Sequence, residues 1–107
     1  MGQTSWQDYL KLLRGLSKTL KELTQLEQEK NAAASAGNLA GVEACMKREQ
    51  VMSLSLRGYD QKRDAMLADL GMSGIPLRGL EDRCPEEFRL ETKKVAEELR
   101  QQYELFQ

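Results

Sequence analysis

Two long stretches of the chain carry apolar side chains in a seven-residue repeat. In the first stretch the two core positions of the repeat are filled by Trp6, Tyr9, Leu13, Leu16, Leu20 and Leu23. In the second they are filled by Val42, Cys45, Met52, Leu56, Tyr59, Met66 and Leu70, with Glu49 and Arg63 interposed. Because an α-helix returns to the same face every three to four residues, this spacing gathers each set on one stripe. The pattern predicts two long helices and argues against strands, whose side chains alternate with a period of two.

A short break at residues 36–38, Ala-Gly-Asn, separates the two stretches. Glycine commonly follows a helix end because it adopts the left-handed conformation, and asparagine commonly caps the next helix. At the other end of the first stretch, Ser5 followed by Asp8 predicts an N-terminal cap. We therefore expect helices over residues 4–35 and 39–70, packed side by side and antiparallel because their connection is short.

The apolar stripes of this hairpin have polar interruptions that fall opposite each other. Folding the chain about Gly37 brings Glu27 close to residues 47–49, and brings Leu13 close to Arg63. This placement predicts a polar layer that sets the register of the two helices. Gly15 lies inside the first helix, where it costs about 1 kcal/mol against alanine, and it predicts a close approach between helices.

The last third of the chain is punctuated by glycine and proline. A glycine-rich loop ends at Pro76, which predicts the first residue of a short helical turn over residues 76–82. Pro85, followed by two glutamates, predicts a final helix over residues 85–106. The predicted fold is all-α: residues 1–107 form one helical domain with a long antiparallel hairpin, a short helical turn and a C-terminal helix. This arrangement of three helices is coiled-coil-like.

Composition and charge exclude several classes of function. The 16 basic and 17 acidic residues are interspersed and give a net charge of −1, without the basic stripe of a nucleic-acid-binding protein. Nothing reaches the roughly 18 apolar residues in a row that a membrane span requires. The N-terminal sequence lacks the pattern of a secretory signal, so we expect a cytoplasmic protein in which Cys45 and Cys84 are reduced thiols.

The residues for enzyme chemistry are also lacking. The chain has no histidine, which is the commonest general base and metal ligand, and Cys45 has no base to activate it. Glu27 and Glu49 can form a carboxylate pair, but a salt bridge to Lys30 or Lys47 is the favoured interpretation. A helical chorismate mutase is a weaker alternative, because Arg14 is the only arginine of the first helix. We predict a non-catalytic protein with no catalytic residue, no metal site and no cofactor.

The order of helix, turn and charge resembles the FlgN family of flagellar type III export chaperones. A Leu-rich opening helix leads into an acidic residue and a small-residue turn, LEQEKNAAASAGNLAGVEA. A segment rich in charge and glutamine then opens a Leu-rich stretch, KREQVMSLSLRGYDQKRDAMLADLG, which has paired basic residues before its final Leu-Gly. The resemblance covers roughly residues 5–75. Family members usually carry a longer C-terminal segment than this chain does.

The resemblance implies the fold of a helical hairpin followed by a C-terminal helix. It also implies a cytosolic chaperone that masks an amphipathic segment at the C-terminus of hook-filament junction (hook-associated) proteins. In relatives the C-terminal region binds these clients, and components of the export apparatus are a further class of partner. The alternative function is a non-catalytic helical adaptor or a self-associating coiled coil, and a homodimer is open under either function.

The helices carry more apolar residues than one hairpin seam covers. Leu10, Leu12 and Leu26 lie beside the seam of the first helix. Two interpretations stand: the third helix packs over this surplus, or part of it stays open for a partner helix with anchors at i, i+3, i+4 and i+7. The candidate partner-binding residues are Met46, Val51 and Leu54 on the second helix, and Phe88, Val95, Leu99, Tyr103 and Phe106 on the third.

Overall fold

The computed structural model describes residues 5–106 and confirms the all-α fold. Helix α1 spans Trp6–Ser35, α2 spans Leu39–Asp69 and α3 spans Arg89–Phe106, with two short 3₁₀ helices at Leu80–Asp82 and Glu86–Phe88 between α2 and α3. No strand occurs within this part of the chain. The molecule is an elongated bundle of 52 × 28 × 19 Å. Residue 4, which the sequence assigned to the first helix, lies outside the described residues.

Local side-chain chemistry sets the ends of the hairpin helices. The Ser5 hydroxyl accepts a hydrogen bond from the backbone N–H of Asp8 at 3.1 Å, and the Asp8 carboxylate accepts one from the Ser5 N–H at 3.4 Å. Gly37 takes a φ of +73°, and the Asn38 side chain accepts a hydrogen bond from the Gly41 N–H at 3.0 Å. These bonds satisfy helix-end groups that have no partner inside the helix, which is why the boundaries could be predicted.

Helix α1 lies at the centre of the bundle. Both α2 and α3 pack mainly against α1. The predicted seam is confirmed, because its six apolar side chains from Trp6 to Leu23 are all buried. Leu10, Leu12 and Leu26 beside the seam are buried too. In contrast, α2 buries only Cys45 and Leu67 fully, and the rest of its predicted stripe is half-buried.

Helix α3 runs parallel to α1 along a second flank of α1. Near its start the Trp6 indole Nε1 donates a hydrogen bond to the Thr92 hydroxyl at 2.8 Å, and Arg14 forms an ion pair with Glu91. At its end Phe106 lies beside Thr24 and Gln28. Within residues 5–106, the end of the hairpin nearest the turn at residues 36–38 extends beyond α3.

The connection between α2 and α3 differs from the prediction in two places. Pro76 does not begin a helical turn; the 3₁₀ turn begins only at Leu80, because Gly79 precedes it with a φ of +89°. Pro85 caps a 3₁₀ turn over Glu86–Phe88 before α3 begins at Arg89. Leu80 is buried in the same core as α1 and α3, so this connection anchors the base of the bundle.

The Trp6–Thr92 hydrogen bond is the buried polar contact between α1 and α3, and it is testable. Replacing Thr92 by valine keeps the shape of the side chain but leaves the buried indole N–H without its partner. We expect Thr92→Val to lower the free energy of unfolding by about 1–3 kcal/mol. Thr92→Ser, which keeps the hydroxyl, should retain more of the stability. Urea denaturation monitored by circular dichroism measures both, and equal stability of Thr92→Val and the unmodified chain would contradict the assignment.

Candidate functional site

The structure divides the candidate partner-binding residues of α3 into core and surface. Val95 is 5% exposed and Leu99 is 0% exposed, both inside the main core. Phe88 and Tyr103 are half-buried and pack against that core. Assigning Val95 and Leu99 to a partner surface was therefore wrong for the folded chain, because the second apolar flank of α1 requires cover and α3 supplies it. Phe106 remains exposed at the end of α3.

The three candidates on α2 are exposed, but they do not share one surface. At about 100° per residue, Met46, Val51 and Leu54 point in different directions around the helix. Met46 lies one turn from Glu49, which faces the end of α3. Val51 lies on the opposite flank of the hairpin, beside Glu22 and Met52. By helix geometry, Leu54 faces away from the seam with α1. Their apolar character therefore belongs to separate sites.

One surface surrounds Leu105 and Phe106 at the end of α3, and we call it the α3-end patch; we include the exposed Met46, one turn of α2 from Glu49. It surrounds a notch of about 440 Å³ lined by Thr24, Gln28, Glu49, Leu105 and Phe106 together with Glu27. Leu105 is 66% exposed and Phe106 is 43% exposed. Met46 is 49% exposed and lies one turn of α2 before Glu49, which lines the notch. The heptad pattern does not identify Leu105, whose only sequence signal is that it neighbours Phe106.

A polar layer borders the α3-end patch. The Lys30 ammonium lies 3.1 Å from a carboxylate oxygen of Glu27 and 3.1 Å from one of Glu49. The hydrogen bond from Lys30 holds the pKa of Glu27 below its usual range, and the bonds to Glu27 and Glu49 raise the pKa of Lys30. The interpretation of Glu27 and Glu49 as partners of Lys30 is confirmed, and it joins the two helices at the predicted layer. A second polar contact of this kind joins Arg63 to the Tyr9 hydroxyl at 3.4 Å.

The opposite flank of the hairpin carries a longer depression, which we call the α1–α2 groove. Its lower part has a volume of about 640 Å³ and an apolar floor formed by Leu12, Gly15, Tyr59, Ala65 and Met66. Charged side chains form its rim: Asp8, Lys11, Lys62 and Asp69. None of these residues belongs to α3. The predicted close approach at Gly15 is confirmed, because a Cβ there would lie only 2.8 Å from the Tyr59 hydroxyl.

The α1–α2 groove continues upward along the same flank. A second depression of about 410 Å³ is lined by Glu22, Lys47, Arg48, Val51 and Met52. Glu22 lies seven residues beyond Gly15, and Met52 lies seven residues before Tyr59, so the two depressions share helix faces. The sequence signal for this flank is the spacing of Val51, Gly58 and Ala65, which also recur at intervals of seven.

Comparison with protein-family models, with curated proteins and with solved structures finds no significant match to this chain. Among residues 5–106, every helix is too short or too polar to cross a membrane. The same residues contain no group of three or more histidine, cysteine, aspartate or glutamate side chains arranged to hold a metal ion.

The ion pairs of Lys30 make the titration of Glu27 testable. Replacing Lys30 by methionine removes the hydrogen bond that lowers the pKa of Glu27, so this pKa should rise toward its ordinary value. Because the pKa of Glu27 is lowered in the folded state, its carboxylate stabilises the fold at pH values above its ordinary pKa. This contribution disappears as the pH falls through the folded-state pKa. Carbon-detected NMR titration of the Glu27 carboxyl measures the shift.

The matched control is Arg48→Met, which removes the more distant cation that pairs with Glu29 at 3.9 Å. This variant should leave the Glu27 titration unchanged. An unchanged Glu27 midpoint in Lys30→Met would show that the ion pair does not exist in solution.

Proposed function

We propose that the chain is a non-catalytic export chaperone of the FlgN type. Its client is an amphipathic helical segment at the C-terminus of a hook-filament junction protein. The family and the client class come from the resemblance of the hairpin sequence, and the fold of a long hairpin with a C-terminal helix agrees with that resemblance. The observation that carries the binding mode is the exposed apolar surface of the α3-end patch.

The α3-end patch is suited to a helix that continues the path of α3. Within the described residues, α3 covers one flank of the hairpin as far as Gln28, and the same flank is uncovered above it. Leu105 and Phe106 border this uncovered track at its lower end, and Met46 lies along it. An amphipathic client helix laid on this track contacts these three side chains with its apolar face, as in other helix-in-groove complexes.

The size of the patch predicts moderate affinity. Three anchors that each contribute roughly 1.5–3 kcal/mol on burial give about 5–9 kcal/mol. Association costs at least about 4 kcal/mol, so these anchors alone do not produce tight binding. Additional contacts along the bare hairpin bring the expected dissociation constant to around micromolar. Such an affinity is compatible with a chaperone that must release its client for export.

Substitutions at the end of α3 test the client surface. We expect Phe106→Asp and Leu105→Asp each to weaken capture of a C-terminal junction-protein peptide by at least about tenfold, because each removes an apolar anchor. Isothermal titration calorimetry with the peptide measures the affinity, and it should report one peptide per chain.

Leu90→Asp is the matched control for these two variants. Leu90 also lies on α3 and is 83% exposed, but it is at the other end of the helix, next to Arg14 and Glu91. This variant should bind the peptide as the unmodified chain does. If the unmodified chain ignores such peptides, the chaperone proposal fails and the alternative of a helical adaptor or self-associating protein stands.

A further inference from the structure

The α1–α2 groove presents both a projection and a recess on one face. Val51, in the upper depression, is 65% exposed and projects from α2. The lower depression is recessed, with Ala65 and Met66 in its apolar floor. A surface that carries both a projection and a recess can pair with a second copy of itself. A two-fold axis then places the projection of each copy in the recess of the other, as in most homodimers.

The position of this axis follows from α2. We place a two-fold axis perpendicular to α2 so that Val51 of each copy faces Met66 of the other. This axis passes between Gly58 and Tyr59, which lie midway between the two residues. The helices α2 of the two copies then run antiparallel and cross at Gly58. A Cβ at Gly58 would meet no atom of its own chain within 4 Å, so the helix of a second copy has room to approach closely there.

Four of the seven charged side chains that line the two depressions form opposite-charge pairs about the same axis, and the other three face uncharged residues. The axis that places Val51 opposite Met66 of the second copy also places Asp69 opposite Arg48 of the second copy. Opposite charges therefore meet on both sides of the crossing point of the α2 helices. On α1, Lys11 of each copy faces Glu22 of the other, which again pairs opposite charges.

The facing pairs on α1 and the facing pairs on α2 are related by the same axis. The midpoint of Lys11 and Glu22 lies between residues 16 and 17 of α1. Because Gly15 contacts Tyr59, this midpoint is level with the crossing on α2. One axis therefore satisfies the apolar contact and the charge pairs of both helices.

We propose that two copies of this chain form a symmetric antiparallel dimer through the α1–α2 groove. The dimer is a four-helix arrangement of both hairpins, with α3 of each copy on the outer side. It goes beyond the proposed function, since the α3-end patch lies on the opposite flank and stays accessible. The pairing of opposite charges across the two-fold axis favours a second copy of this chain over an unrelated helix as the partner in the α1–α2 groove.

Val51 and Leu54 provide a matched pair of variants. They are 65% and 66% exposed, three residues apart on α2, but only Val51 lies in the groove. Sedimentation equilibrium of the unmodified chain should show a dimer. Val51→Glu should raise its dissociation constant by about a hundredfold, since the symmetric interface loses the contact twice and each loss is worth about tenfold. Leu54→Glu should leave the dimer intact.

Charge reversal tests the predicted pairing directly. Lys11→Glu and Glu22→Lys should each weaken the dimer, because each places like charges opposite each other across the axis. The double variant should restore it, since the opposite charges face each other again. Both side chains are exposed on α1, so the fold is preserved, and circular dichroism verifies this.

Three results would overturn the proposal. They are a monomeric unmodified chain, equal dissociation of the Val51→Glu and Leu54→Glu variants, and a double charge reversal that fails to restore association. Peptide capture by Val51→Glu is measured in parallel. A chain that stays monomeric but binds the peptide leaves the chaperone proposal standing, whereas a dimer that ignores the peptide leaves only the dimer.

Discussion

Burial of α1 on two flanks is the interaction on which the rest of the structure depends. Ten side chains of α1 are buried, whereas α2 buries only Cys45 and Leu67 and α3 buries Thr92, Val95, Ala96 and Leu99. A hairpin alone covers one flank of α1 and leaves the other exposed to water. The hydrophobic effect therefore favours docking of α3, and the buried Trp6–Thr92 hydrogen bond orients it.

The polar contacts between α1 and α2 act on register more than on stability. Lys30 is only partly exposed and links Glu27 to Glu49, and Arg63 reaches the hydroxyl of Tyr9. A shift of α2 by one helical turn would leave these groups without partners in a partly buried layer, which is costly. Such partly screened ion pairs contribute little net stability, but they penalise the wrong alignments of two similar apolar stripes.

The surfaces left over from this packing point to two different associations. Within the described residues, Leu105 and Phe106 at the end of α3 are exposed on one flank, and Met46 is exposed on α2. On the other flank no element covers the α1–α2 groove within the described residues. The two surfaces do not overlap, so a dimer of the chain and a client complex can coexist. A chaperone with two client surfaces facing outward is the arrangement that these two proposals together describe.

The sequence by itself determined the helices, their boundaries at Ser5, Gly37 and Asn38, the buried stripe of α1 and the polar layer at Lys30. These features depend on spacing along one helix or on groups a few residues apart, which the sequence displays directly. Only the tertiary structure decided the role of α3. Val95, Leu99 and Phe106 lie on the same predicted stripe, yet the first two are core and the last is surface. Their difference depends on what α1 presents beside each of them. Val95 and Leu99 lie in the core with the apolar side chains of α1, whereas Phe106 lies beside Thr24 and Gln28, and no periodicity within α3 encodes this.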